Sequence, residues 1–480
     1  MEKGSDMRAR RTAGLAIFLL FTAFPAVVRA DDQAGSGGAA SAQPMVVTLD
    51  QAIQAALQGG PDVKLAQIKL AMSRAQYDQT VSQYSLGVSS SAGADRSQSI
   101  LSGAPPASDS VQAGVTIGQA GGSGPTQIGV SGSYSLSEEA PLRSSTKVSV
   151  SASQTLWDGG LPGWRAQTSL QKAGIDLQSA ELTSDSSMKS ITYSVKQAYY
   201  QLLAQQRQIK VLENTLAQRQ EESKRVQTLS EVQNATQIDL MQAQVNETTA
   251  ELNLRNAKAS LEVAREKLSN TVGWPSDKVY TVGEVPDFPV PDLDVAQSIT
   301  TALDTRSDLK QLRLQKASGN IDLSVTRAQG SPTVSASGGL SWSRDWTDPP
   351  NDSLNYNVGI DVSIPIFDSG LAARQITQAQ MQNQTLEIQI AQKAAGIATD
   401  VKDAVYSLQD LLARTDLAQK SLELAKYQYE LSKAKYDAGA LSILDLLGAS
   451  VALTSAEVSA DKARSDAQLG VLALQNVMGN

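Results

Sequence analysis

Two stretches of this 480-residue chain restrict its fold more than any other feature. Residues 161–232 and 371–437 contain no proline except Pro162, which stands where a helix would start. Apolar residues recur three and four apart: Val195, Ala198, Leu202, Ile209, Leu212, Leu216 in the first stretch, and Val401, Ala404, Leu408, Leu411, Ala418, Leu422, Ala425 in the second. Each is followed by another ladder. One runs Leu240, Ala243, Glu247, Ala250, Leu254, Ala257, Leu261, Ala264, Leu268; the other runs Leu446, Ala449, Leu453, Ala456, Ala460, Ala463, Ala467, Gly470, Leu474. This is coiled-coil periodicity, and its leucine–alanine alternation implies close helix approach. At ~1.5 Å per residue, a helix of about seventy residues is ~100 Å long, more than an ordinary domain needs. Aromatics make up only 5% of the chain, which suits long helices with small packing residues better than a large globular core.

The sequence also repeats itself once. Pro61-Asp62-Val63-Lys64 recurs as Ser307-Asp308-Leu309-Lys310, and Ala56-Leu57 as Ala302-Leu303, at an offset of 246. Leu156-Trp157-Asp158-Gly159-Gly160 recurs as Ile366-Phe367-Asp368-Ser369-Gly370 at 210; Val195-Lys196-Gln197-Ala198 recurs as Val401-Lys402-Asp403-Ala404 at 206. The first copy therefore holds 36 more residues (246 − 210) ahead of its Trp-Asp-Gly junction. The expected organisation is a first repeat over 48–272, a proline-rich linker over 273–294 and a second repeat over 295–480. Each repeat reads as helix, strands, long helices: strands near 86–157 with helices over 161–272, then strands near 332–366 with helices over 371–479.

In the second strand region, Tyr356, Val358, Ile360, Val362, Ile364 and Ile366 alternate with Asn357, Gly359, Asp361, Ser363 and Pro365. The run is about the ~9–11 residues that a tilted strand needs to cross a bilayer. Val334, Ala336, Leu340 and Trp342 alternate with serines before it. The first region offers Ile128, Val130, Tyr134, Leu136 and then Val148, Val150, Ala152, Leu156; Leu86–Ala94 and Val111–Ile117 alternate weakly. Two hairpins, four strands per chain, are expected. Lipid offers no hydrogen-bond partner to a sheet edge, and closed barrels need at least about eight strands, so several chains must combine.

Residues 1–30 read as a secretory signal: Arg8, Arg10 and Arg11, a short apolar stretch from Gly14 to Phe24, and small residues around Val28-Arg29-Ala30. A membrane helix is the competing reading, but the apolar run falls short of the ~20 residues that spanning needs. Residues 31–47 form an N-terminal extension. Position 31 is Asp rather than Cys, unlike a bacterial lipoprotein. No later apolar run is expected to reach spanning length. The chain carries a formal charge of −8; removing a leader with five basic and two acidic residues leaves −11, which argues against a nucleic-acid partner. There is no His and no Cys, so disulfides, thiolate nucleophiles, Cys/His zinc sites and histidine triads are excluded. No cofactor or metal is implied, and a carboxylate hydrolase lacks a compact scaffold here.

These residues resemble the TolC family of outer-membrane efflux and secretion channels, from about Leu49 to Gly479. The resemblance rests on Leu49, Ala52, Ala56-Leu57 and Pro61-Asp62-Val63; on Arg306-Ser307-Asp308-Leu309 with Pro332; on Pro365-Ile366-Phe367-Asp368-Ser369-Gly370; and on Tyr436, Gly439, Ile443-Leu444-Asp445-Leu446-Leu447 and Ala449, with Gly479 closing. It implies a homotrimer that is mainly α with membrane β. Twelve strands would form one shared barrel in the outer-membrane lipid, and twelve helical strands an α-barrel through the periplasm. A periplasmic adaptor (membrane fusion) protein and an inner-membrane transporter would dock at the closed tip. The duct would do no bond chemistry.

The resemblance further assigns a periplasmic gate. A tyrosine before the second tip turn bonds an aspartate beyond the first, here Tyr436 and Asp239, and Asp445 supplies an acidic ring. Three carboxylates around a narrow axis would repel one another and favour cations. Leu441 stands where a basic latch residue is known in the family, and Gly448 where a second ring aspartate is. The tip turns that would meet the adaptor are Gln233-Asn234 and Gly439-Ala440. Alternatives stay open: Asp239 and Asp445 could be helix N-terminal charges, and Tyr436 mere packing. Trp157 and Phe367 suit an aromatic belt or ordinary junction packing; Trp342 and Trp346 could mark the opposite belt or the loop. Gly160 and Gly370 would let the chain swing from sheet to helix. A soluble coiled-coil structural or adhesion protein, secreted or surface-attached, is the competing function. By resemblance the cargo could be drugs, siderophores, polypeptides or metals; the missing His and Cys merely disfavour capture of soft metals.

Overall fold

The computed structural model describes residues 45–97, 108–119, 126–137, 143–232, 236–275, 279–285, 293–346 and 349–479. The expected signal sequence and most of the extension at 31–47 lie outside them. Helices dominate. In the first half, α1 (Leu49–Gly59) and α2 (Pro61–Gln83) precede the strands, and α3 (Trp164–Glu231) and α4 (Gln237–Val272) follow them. In the second half, α5 (Val295–Thr305) and α6 (Ser307–Gln329) precede the strands; α7 (Leu371–Asp437) and α8 (Ile443–Val477) follow.

The helix bounds recur at the offsets seen in the sequence. Both ends of α1 and α2 map onto α5 and α6 at 246, and the end of α3 and start of α4 map onto the end of α7 and start of α8 at 206. Local chemistry sets the starts. Thr48 and Gln51 form a reciprocal capping box at α1, with Thr48 N–H donating to Gln51 Oε1 at 3.0 Å. Pro61, whose missing N–H costs nothing in a first turn, opens α2. α3 and α7 have 68 and 67 residues, hence ~100 Å each at 1.5 Å per residue.

The long helices pack in pairs, α3 on α4 and α7 on α8, with α3 also against α8 and α6. Two apolar clusters hold the halves. One gathers Ala56, Val195, Leu202 and Leu268; the other gathers their counterparts Ala302, Val401, Leu408 and Leu474. A Cβ added at Gly470 would stand 2.7 Å from Leu411 Cδ1, so α8 approaches α7 closely there. The first cluster is roofed by a small parallel sheet, β1 (Met45–Val47) on β6 (Tyr280–Val282). Buried Tyr199 reaches the carbonyls of Val47 at 3.0 Å and Gly283 at 2.9 Å, tying that sheet to α3. One expectation fails at α8. It is long and apolar enough by composition to cross a membrane. Its richness in Ala, Leu and Val serves its packing along α7 and α3.

The main sheet corrects the expected strand number. Among the described residues it has six strands rather than four. In hydrogen-bonded order they are β2 (Leu86–Ser97), β3 (Ser108–Gln119), β4 (Thr126–Ser137), β5 (Arg143–Asp158), β7 (Thr333–Asp345) and β8 (Asn351–Ser363). Every neighbouring pair is antiparallel. Four strands come from the first half and two from the second. Small residues blur the alternation in β2–β4, where Ala92 pairs with Ala113 and Ala113 with Gly132.

Candidate functional site

Cross-strand partners share a face of the sheet, so the registers sort all six strands at once. One row runs Val88, Ile117, Ile128, Ala152, Gly338, Val358; the next runs Ser90, Val115, Val130, Val150, Leu340, Tyr356. Apolar residues dominate this face and remain exposed: Val88 is 69%, Val358 83% and Ile360 70% accessible. The other face carries Ser91, Gly114, Ser131, Ser149, Ser341 and Asn355 in one row. Its hydroxyls bond across strands, Ser131 to Ser149 and Ser135 to Ser145, both at 2.7 Å. At the strand ends away from the helices, the apolar face gives way to ion pairs, Arg96–Asp109 and Arg344–Asp352, each at 3.6 Å. Trp346 lies beyond, under the Arg344 guanidinium (4.4 Å to the ring) and donating to Thr146 Oγ1 at 3.1 Å. Trp342 lies on the apolar face between Val148 and Leu354.

At the helix ends of the strands, Trp157 pairs with Val334 across a bulge and Phe367 follows β8; both are exposed. The two junctions differ. In the second half, Gly370 has φ +78° and caps α7, while the Asp368 carboxylate accepts N–H bonds from Gly370 (2.9 Å) and Ala372 (2.7 Å). Those backbone donors hold Asp368 below the usual carboxylate range. In the first half, Asp158 pairs with Arg165, and the left-handed residues are Gly159 and Gly163. Gly160 is needed for space rather than for its φ: a Cβ there would meet Trp164 Cγ at 2.6 Å.

The opposite helix ends bring the expected gate residues close to the two turns. Asp239 sits at the third position of α4, where its carboxylate accepts from Thr236 N–H (2.9 Å) and Thr236 Oγ1 (2.7 Å). The backbone bond first, then the hydroxyl, push its pKa down. Asp445 sits at the same position of α8 and accepts from Ser442 Oγ at 2.6 Å. Thr236 and Ser442 are thus the N-caps; Asp239 completes a capping box at α4, whereas Asp445 meets only the Ser442 hydroxyl, which in turn accepts from Asp445 N–H at 3.2 Å. In the single chain no hydrogen bond among the described residues joins Tyr436 to Asp239. Instead the Tyr436 ring lies under the Arg225 guanidinium at 4.8 Å, and Arg225 donates to Asp437 Oδ1 at 2.9 Å. After Tyr436, Gly439 takes φ +72°, which lets Ala440 N–H return to Lys435 O at 2.8 Å. Gln233 and Asn234 lie outside the described residues.

No sequence pattern marks Arg225, since a lone arginine in a charged helix carries no signal. The same holds for the bonds above it. Gln218 Nε2 reaches Tyr429 Oη and Ser450 Oγ, both at 2.7 Å, so one α3 side chain links α7 and α8. Buried Arg219 pairs with Glu222 beside it at 2.8 Å. Burial pushes the Tyr429 hydroxyl up, with the charges of Glu222 and Glu430 adding to it. The α6–α7 contact is held by a second charge cluster. Asp308 accepts from Arg306 at 2.7 Å and Lys393 at 2.8 Å, and Arg306 also reaches Asp400 at 3.2 Å. Burial alone would raise the pKa of Asp308, but the bonds and charges of Arg306 and Lys393 prevail and hold it at about 2.

A sequence model of the family described as outer membrane efflux protein matches residues 126–274 and 298–480. The chain belongs to that family. It is an outer-membrane protein of the efflux-channel class. It is 24% identical over 340 residues to the pyoverdine export outer membrane protein OpmQ of Pseudomonas aeruginosa, covering 70% of each chain. It is 23% identical over 358 residues to the outer membrane protein TolC of Escherichia coli, covering 70% of this chain and 69% of that one. Among solved structures, the outer membrane protein VceC of Vibrio cholerae superposes with a TM-score of 0.69 at 19% identity, covering 90% of this chain and 96% of that chain.

Proposed function

We propose that three copies of this chain assemble into one duct that runs from the outer membrane into the periplasm. It serves as the exit of a tripartite efflux pump or a type I secretion system. The observation that carries this reading is the sheet. It has a polar hydroxyl-lined face, an apolar face open along all its strands, and edges at β2 and β8 with no partner among the described residues. In lipid such edges must be paired, which calls for further copies. A soluble coiled coil gains nothing from an apolar face exposed on that scale.

The helices then form the periplasmic wall, and the α3–α4 and α7–α8 turns lie at its tip. A periplasmic adaptor meets Gln233, Asn234, Gly439 and Ala440 there, and an inner-membrane transporter supplies the energy. Arg225 holds the α3 end against Tyr436 and Asp437 at the α7 end, and opening the tip breaks that contact. Asp239 and Asp445, held by Thr236 and Ser442, present carboxylates at the entrance, where a threefold ring of Asp445 favours cations. Trp157 and Phe367 sit at the periplasmic rim of the sheet as belt aromatics. Cargo enters from the pump or periplasm and leaves passively.

Outer-membrane fractions extracted in detergent test the reading. A heat-sensitive trimer that inserts into planar bilayers is expected; recovery as a soluble monomer or dimer without conductance overturns it.

A further inference from the structure

The additional length of the first half has a definite place in the sheet where it is described. β2 follows α2 as β7 follows α6, at nearly the same offset, and β5 leads into the Asp158 junction as β8 leads towards Asp368. What remains is the hairpin β3–β4. It does not hang from the sheet. β3 pairs with β2 from Leu86↔Gln119 to Ser97↔Ser108, and β4 pairs with β5 from Thr126↔Gln154 to Ser137↔Arg143. The apolar rows pass through both strands without a break, by way of Ile117, Ile128, Val115 and Val130.

Inserting strands in twos preserves direction. β2 still leaves the helices and β8 still returns to them, so the two free edges run antiparallel to each other. They match in length, 12 and 13 residues, and both bear apolar residues on the same face, Val88 on one edge and Val358 and Ile360 on the other. A second copy of this chain fits each edge by direction, length and polarity.

We propose that three copies of this chain close an eighteen-stranded barrel, each β8 pairing antiparallel with β2 of the next copy. The count rests on the three-copy duct proposed above and multiplies it by the six strands of each sheet. Barrel diameter grows roughly linearly with strand number, so the mouth is about 1.5 times as wide as a twelve-stranded one. Its inner face is lined mainly by serine, glycine, threonine and asparagine, small side chains that leave most of the width open, with Gln112, Gln127, Lys147 and Asp361 among the longer or charged side chains on it. The outer mouth therefore suits bulky polar cargo, and selection falls to the helical tip.

A high-resolution cryo-electron microscopy map of the full chain in lipid nanodiscs counts the strands directly. Eighteen strands in a trimer are expected, and twelve in a variant lacking residues 102–137, with a polymer exclusion radius at the outer mouth about 1.5-fold smaller. A wild-type trimer with twelve wall strands and β3–β4 outside the wall overturns this inference while leaving the duct intact. Two copies closing twelve strands overturn the threefold count. A chain with nothing embedded in the bilayer overturns the duct itself. The wild-type map decides the matter even if the shortened variant does not fold.

Discussion

The two halves of the chain differ in their strands and agree in their helices. The first contributes four strands to the main sheet and the second two, yet α1–α2 and α5–α6 match residue for residue in length, and α3 and α7 differ by one residue. The difference shows what each kind of packing tolerates. A long helix keeps register with its neighbour over its whole length, so an inserted residue rotates everything beyond it by about 100°. An antiparallel sheet takes a hairpin without penalty to direction, because two strands restore the path of the chain. Growth by duplication and insertion is therefore open to the sheet and closed to the helices.

The largest effect expected is a contrast between deletions. Removing Ala217 alone from α3 should abolish the heat-sensitive trimer on a detergent gel, since the α3 ladder up to Leu216 and the residues beyond it would face different sides. Removing the 36 residues 102–137 should leave the trimer. If both deletions are tolerated equally, the helices are not in fixed register and the contrast between the two architectures fails.

At the tip, the contact that joins the halves can be dissected. Arg225→Ala removes a ring contact and an exposed ion pair, each worth about 0–1 kcal/mol, so closed-state conductance in planar bilayers should rise roughly fivefold. Tyr436→Ala should do nearly as much. Tyr436→Phe keeps the ring under Arg225 and should change little; a rise as large as that of Tyr436→Ala would mean that the hydroxyl, and hence a bond to a group such as Asp239, holds the tip. Asp445→Ala should lower cation preference without changing assembly, and unchanged reversal potentials would remove the ring.

Much of this architecture is legible in the residues, and the unread parts have physical causes. The helix pairs announce themselves because leucine and alanine at three–four spacing have few other uses. The strands of the second half are equally plain, from Tyr356 to Val362. β2 and β3 are faint because Ala92, Ala94 and Ala113 stand on their apolar face and Gly93 and Gly114 on the polar one, leaving little hydropathy contrast. Resemblance alone points to Asp239 and Asp445 beside the turns; their bonds to Thr236 and Ser442 follow from the Thr-x-x-Asp and Ser-x-x-Asp spacing. Arg225 and Gln218 act across helices that are distant in sequence, and no local pattern marks such a pair.

Smaller effects separate the halves further. Asp308 is charged and bonded in the folded chain down to a pKa of about 2, below its unfolded value near 3.9. Its contribution is therefore present above about pH 4 and is lost as pH falls from about 4 to about 2. Asp308→Asn should flatten the pH dependence of thermal stability in that window, and an unchanged slope would remove Asp308 as its source. Smaller still, Asp368→Ala should lower the melting temperature by taking the carboxylate partner from the first-turn N–H of Ala372, and Asp158→Ala should lower it less, since a partly exposed ion pair is all it loses.

The central claim is that one face of the sheet lies in lipid and the other lines water. The absence of native cysteine makes single-cysteine scanning along β8 its most direct measurement. In reconstituted protein, cysteines at Asn355, Asn357 and Gly359 should react with a water-soluble maleimide, while those at Leu354, Tyr356 and Val358 should stay unlabelled and be quenched by lipid-borne spin labels when carrying a fluorophore. Equal labelling at all six positions would contradict the account, because it would place both faces in water.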